Sequence, residues 1–410
     1  MAPPPPARKF GAPLFFCSFT DSDANDEVVL GGGGGASKTG VANRLLLVKV
    51  DEEKATHVTG AHQCRLECDP SAEVHTGSLT TVNGVWVKGK PYFVAVLSGG
   101  DGLVKYQLKK SGQGGKKDGE EKETFNKLEI NKSNISSFKQ AAISSIASNN
   151  LGTQIAVGFD TGKIVIYEAS KLDEVKEFNP KKHSQIPDKG GIMSLSFTFC
   201  GTKVAAVKGN GFAFVWDTAA SGKNEKAASV TVFQSPVPGG MFRGCYSYDL
   251  PKSKKLFCMG LNIKGRSMLT SWSLEKEGKG KKLVLKRKVN AHKAALTALA
   301  GYSSLSPVRK GAVGSKGKCL VASASSEGEV SVYSLEHNLT CLVRVPNAHM
   351  IFTTCVNFSN DGSRLVSVSA DAGARIVTVT KSGDQVKLEQ NLMIALFMFL
   401  LVIFLYYFVL

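Results

Sequence analysis

The feature that most constrains this chain is a recurring unit of short apolar strands joined by turns rich in Gly, Asn and Asp. The clearest copy, residues 352–380, reads FTTCVNFSNDGSRLVSVSADAGARIVTVT: strand, Asn-Asp-Gly turn, strand, Ala-Gly turn, strand. The same grammar returns in residues 91–109, 141–168, 192–217, 256–275 and 319–336. Runs of β-branched and aromatic residues bounded by such turns specify strands, and almost no helical periodicity competes with them. With Ile166, Val215, Ser271, Val332 and Val377 as equivalent positions, the spacings are 49, 56, 61 and 45 residues. A single supersecondary unit cannot bury its faces alone, so copies at one period must pack on each other.

The spacings bracket the period of about 40–50 residues of WD40 and kelch propellers, with loop insertions supplying the excess. Trp216 and Asp217 match the WD dipeptide, and the Ala-His pairs at His292 and His349 stand where such repeats carry Gly-His. Both histidines are therefore read as blade structure rather than chemistry. Six units, and a seventh from the strands PLFFCSF and EVVL, predict an all-β, seven-bladed WD40-like β-propeller over residues 14–385. A composition of 43% hydrophobic residues supplies its core. Residues 109–132 and 279–288 read as surface excursions. The second, KGKKLVLKRK, holds six basic residues and no acid, which suits anionic lipid or an acidic partner.

Both ends differ from this body. Residues 1–13, MAPPPPARKFGAP, lack the apolar core of a signal peptide and read as a flexible Pro-rich lead-in. From Leu392 to Leu410 the chain runs 19 residues without a charge, Gly or Pro. As a helix that run spans ~28 Å, the hydrocarbon thickness of a bilayer. Residues 391–410 are thus expected to form a C-terminal transmembrane helix inserted after synthesis, with Lys381 and Lys387 just before it placing the body in the cytosol. The formal charge of +17 fits an anionic membrane surface or an acidic partner. No zinc knuckle, homeodomain signature or aromatic-interleaved basic motif is present, so nucleic acid is the weakest partner class. The nine cysteines are odd in number and scattered, mostly in apolar runs, as expected of reduced thiols in a cytosolic domain.

Chemistry-bearing motifs are scarce. There is no G-x-S-x-G elbow, no H-E-x-x-H pair and no close pairing of acids, so no covalent-chemistry enzyme is expected. The unusual segment is VVLGGGGGASKTGVANRLLLVKV, residues 28–50. Gly31, Gly32, Gly33, Gly34 and Gly35 lead into Ala36, Ser37, Lys38, Thr39 and Gly40. A phosphate-binding loop needs Gly directly before the Lys and a helix after it; Ser37 and a β-rich sequence occupy those places. Nucleotide binding by this loop is excluded. Five glycines instead supply backbone freedom and bare carbonyls, the material of a cation cage or of a low-complexity hairpin tip. Thr39 and Asn43 are placed to pin such a loop and Lys38 to present a charge at its tip.

A propeller with a Gly-rich loop ending KTGVAN in its first blade and a C-terminal membrane helix resembles the Sec-twelve family, together with the plant phosphate transporter traffic facilitators. The resemblance spans the whole chain in architecture, and its specific content lies in residues 31–43. It implies a guanine-nucleotide exchange factor at the endoplasmic-reticulum membrane, its propeller in the cytosol, acting on the Sar-type small GTPase that starts COPII budding. It further implies a potassium ion held by Gly31, Gly32, Gly33, Gly34 and Gly35, with Lys38, Thr39, Gly40, Val41 and Asn43 forming the exchange loop. The traffic-facilitator relatives imply the alternative, a cargo-exit chaperone for membrane cargo without exchange activity. No separate catalytic chemistry is implied, because an exchange factor works by stabilising the nucleotide-free GTPase.

Overall fold

Runs such as Val28-Val29-Leu30 and Leu45-Leu46-Leu47-Val48 are buried at every position, so both faces of these strands are covered. Alternate residues part to opposite sides: Val28, Leu30, Leu46 and Val48 join one cluster, and Val29, Leu45 and Leu47 the next. Seven such clusters recur among the described residues, one at each contact between neighbouring sheets, and these residues form an all-β ring of seven blades. The structure, a computed structural model, describes residues 7–21, 26–35, 40–58, 61–66, 72–77, 80–98, 102–110, 123–128, 141–179, 186, 190–218, 230–250, 254–277, 280–304 and 318–379.

After a short β1 (Arg8–Lys9), blade 1 comprises β2 (Leu14–Phe19), β3 (Glu27–Gly32), the long β4 (Asn43–Val58) and β6 (Ala72–Gly77), with β5 (Ala61–Leu66) set aside. Blade 2 is β7 (Thr81–Trp86), β8 (Tyr92–Leu97), β9 (Leu103–Lys110) and β10 (Glu123–Leu128). Blade 3 is β11 (Ile143–Ser148), β12 (Gln154–Phe159), β13 (Ile164–Glu168) and β14 (Glu174–Phe178). Blade 4 is β15 (Ile192–Phe197), β16 (Lys203–Lys208), β17 (Phe212–Asp217) and β18 (Val230–Gln234). Blade 5, taller than these, is β19 (Met241–Leu250), β20 (Lys254–Ile263), β21 (Arg266–Glu277) and β22 (Gly280–His292). Blade 6 is β23 (Leu296–Ser303), β24 (Cys319–Ser325), β25 (Val330–Ser334) and β26 (Thr340–Val345). Blade 7 holds β27 (Thr353–Phe358), β28 (Arg364–Ser369) and β29 (Gly373–Thr378).

Ring closure is where sequence and structure part. Closing the ring needs an N-terminal strand on the last blade, and Leu14–Phe19 is the sequence's natural candidate; it pairs instead with β3 and is the innermost strand of blade 1. The outer place on blade 7 is filled from two other N-terminal pieces. Arg8 and Lys9 pair with Ala374 and Gly373, and β5 pairs with β29 at Cys64–Ile376 and Gln63–Val377. β4 makes this possible by its length, pairing with β3 and β6 through its first half and with β5 through its second. Closing a ring by pairing the two chain ends leaves no bare edge on the last sheet.

Three further readings change. The lead-in joins the fold from β1 onward, with Phe10 and Ala12 buried. Of the two stretches read as surface excursions, residues 123–128 of the first form the outer strand of blade 2, and residues 280–292, which take in most of the second, form that of blade 5. Leu283 is buried there in the apolar centre between Lys281-Lys282 and Lys286-Arg287-Lys288, as expected of a half-covered edge strand. Cys200 and Cys341 are exposed, whereas Cys17, Cys245, Cys258 and Cys319 are buried; all are free thiols. The apolar run 391–410 lies outside the described residues, and among the described residues no helix is long and apolar enough to cross a membrane.

Candidate interaction loop

The glycine run connects the second and third strands of blade 1. Gly31 and Gly32 end β3 and are paired on both sides, with Phe16 and Leu14 of β2 and with Leu45 and Arg44 of β4. A Cβ on Gly32 would lie 2.0 Å from the Pro13 carbonyl oxygen, so only glycine lets the entering chain pass this close. Gly33 has φ +146°, donates its N–H to Pro13 O at 2.9 Å, and would place a Cβ 2.2 Å from Asn43 Oδ1. Gly35, at φ +73°, faces open space and makes the turn.

Asn43 locks this turn. Its Oδ1 accepts the Gly35 N–H at 2.8 Å and its Nδ2 donates to Gly35 O at 2.9 Å, and the residue is only 5% exposed. Arg44 braces the base, donating to Phe10 O at 2.7 Å and pairing with Glu73 at 3.2 Å. Gly40 and Val41 lie on the returning limb, Gly40 at φ +77° and exposed. Ala36, Ser37, Lys38 and Thr39 lie outside the described residues.

This geometry bears on an ion. The ladders engage Gly31 and Gly32 on both edges, and the Asn43 amide engages the Gly35 carbonyl, so the five glycines do not form one cage of bare carbonyls. Among the described residues no group of three or more His, Cys, Asp or Glu is placed to hold a metal.

The loop shares its face with blade 7. Residues 9–13 run from Asp371, which accepts the Lys9 ammonium at 3.1 Å, to Gly33, which Pro13 holds. Asp371 also accepts the N–H groups of Met350 at 2.8 Å and Gly373 at 2.7 Å. Beside it Met350, Ile351 and Phe352 are 83%, 42% and 44% exposed, a contiguous apolar corner that sequence reading missed because the segment looks like the start of an ordinary strand. β29 ends on the opposite face, and the chain continues from there beyond Val379.

The two histidines are structural. His349 Nε2 hydrogen-bonds Ser367 Oγ at 2.9 Å, and its Nδ1 lies 3.9 Å from Asp371. His292 repeats the arrangement with Ser323 at 2.8 Å and Glu329 at 3.0 Å. Burial lowers the His349 pKa to about 4, outweighing the pull of Asp371 in the other direction. Trp216, 4% exposed, packs on Phe178, and Asp217 pairs with Lys203. Down the ring's axis the innermost strands line a polar cavity of about 360 Å³, and Arg243 is the one charged side chain on its wall among the described residues.

Comparison with known proteins agrees with this architecture. Residues 340–377 match the family model described as "WD domain, G-beta repeat", a stretch covering β26, β27, β28 and β29 as far as Val377, including His349, Ser367 and Asp371. No curated protein matches the chain in sequence. Among solved structures it is similar to Raptor of Chaetomium thermophilum, with a TM-score of 0.60 and 11% identity over 92% of this chain. The likeness concerns the fold alone, and this chain spans 28% of that protein. A WD repeat in the last blade and seven blades around a polar channel make this a WD40-like β-propeller.

Proposed function

We propose that this propeller is a guanine-nucleotide exchange factor for a Sar-type small GTPase, working at the endoplasmic-reticulum membrane at the start of COPII budding. The observation that carries the reading is the Asn43–Gly35 clamp, which gives the glycine loop a fixed base on one face of the ring. A loop ordered before contact loses less entropy on binding, and that surplus goes to stabilising the nucleotide-free GTPase. Lys38, Thr39, Gly40 and Val41 are proposed to meet the GTPase, with a potassium ion bound along Gly33, Gly34 and the tip stiffening the loop. Residues 391–410 are proposed to anchor the chain. The chain leaves blade 7 on the face opposite the loop, so anchoring there would leave the loop free to meet a cytosolic partner. The test is release of labelled GDP from the GTPase by the full-length chain in liposomes.

One observation favours a second reading. The exposed corner of Met350, Ile351 and Phe352 suits a scaffold or adaptor that holds membrane cargo without exchange. Capture of cargo with no acceleration of GDP release would support the adaptor.

A further inference from the structure

Three blades round the ring from the glycine loop, the end of blade 5 carries a group of exposed positive charges with no ion-pair partner among the described residues. Met241, Asn262, Ser267 and His292 are partners across its four strands, so they form one line about 14 Å long at the blade's end. Lys264 stands in the two-residue turn just beyond that line, Arg266 opens β21 directly after it, and Lys293 follows His292, the partner of Ser267. Arg243 sits at the bulge of β19, on the wall of the axial cavity. All four cations are exposed, and Met241 beside them is 53% exposed. None of the four joins an ion pair among the described residues. Glu329, on the neighbouring blade, is already taken by His292 and Arg344. Four like charges on one blade end, with no ion-pair partner among the described residues, suit a ligand that neutralises them.

We infer that the end of blade 5 is a docking site for an acidic linear segment of a protein partner. Its carboxylates would span Arg243 at the channel mouth and Lys264, Arg266 and Lys293 at the rim, with an apolar residue against Met241. A peptide is favoured over the alternatives by position and composition. The turn between β20 and β21 lies on the face opposite the chain's exit at Val379, away from a bilayer anchored through residues 391–410. Among the described residues no exposed aromatic side chain stands beside these cations to stack on a base. The site is independent of the glycine loop and of any exchange activity.

The experiment uses the full-length chain in non-ionic detergent and a fluorescein-labelled peptide alternating Glu and Leu. Binding is read by anisotropy. Charge reversal of Arg243, Arg266 and Lys293 to Glu is expected to weaken binding by about tenfold or more. Raising salt from about 50 to about 300 mM should weaken it as well. Reversal of Arg287 and Lys288 on the outer wall of the same blade should leave binding within about twofold, separating a site from net charge. Thermal unfolding of each variant checks the fold, and neutralisation to Gln provides a milder second set. Absence of peptide binding, equal loss in both reversed variants, or tighter binding of anionic vesicles or an oligonucleotide of matched charge would each overturn the inference.

Discussion

Asn43 grips Gly35 by both ends of its amide, at 2.8 and 2.9 Å, across eight residues of chain. Each of these bonds contributes about 0.5–1.5 kcal/mol, and they act on the same turn. Asn43→Ala is therefore expected to speed amide exchange at Gly35 by about tenfold. Whole-domain unfolding should shift little, because the pair ties a loop rather than a blade. Asn43→Asp keeps the acceptor and loses the donor, so it should fall between the two.

The glycines should separate by position. Gly35 faces open space, so Gly35→Ala costs only the strain of positive φ, about 1–2 kcal/mol. Gly32→Ala drives a methyl into the Pro13 carbonyl and must move strand β2, with a loss of about 3 kcal/mol or more expected in denaturant titration. Equal effects at the two positions would show that the run is mere slack.

Closure through β1 and β5 gives a third expectation. Deleting residues 1–12 removes the β1–β29 pairs, the Lys9–Asp371 ion pair and the buried Phe10. The loss should be about 3 kcal/mol or more, and it should lower one cooperative thermal transition rather than fray an end. An unchanged midpoint would argue against closure through the N-terminal segment.

The repeat grammar in the sequence was enough to place the blades, because each blade is local and its turns carry Gly, Asn or Asp. Ile166, Val215, Ser271, Val332 and Val377 all fall in third strands. Closure was not legible, since β5 and β29 meet across some 300 residues and nothing in either segment marks its partner. The same holds for the basic run in β22, whose charge suggested a loop while its Leu-Val-Leu centre was already forming a strand. In the loop, Asn43 was readable as a pin. The steric role of Gly32 was not, because it depends on where Pro13 passes.

Protonation of His349 should make the propeller acid-sensitive well above carboxylate pH. Its folded pKa of about 4 lies below the ordinary 6.5, so the unfolded chain binds the extra proton first. Stability contributed by the neutral, Ser367-bonded ring is complete above pH 6.5 and declines as pH falls towards 4, by up to about 3 kcal/mol. Asp371, Arg375 and Lys9 surround the ring, and the first favours and the other two oppose its protonation. Urea midpoints between pH 7 and pH 4.5 should fall for the native chain and flatten in His349→Asn.

The exchange reading is tested most directly by GDP release from a Sar-type GTPase with the full-length chain in liposomes, native against Gly33→Val and Asn43→Ala. A Cβ at Gly33 would collide with Asn43 itself, so both variants undo the same clamp. The account predicts stimulated release by the native chain, more in potassium than in lithium at equal ionic strength, and a sharp loss in both variants with the propeller still folded. No stimulation by the native chain, or undiminished release in both variants, would contradict it.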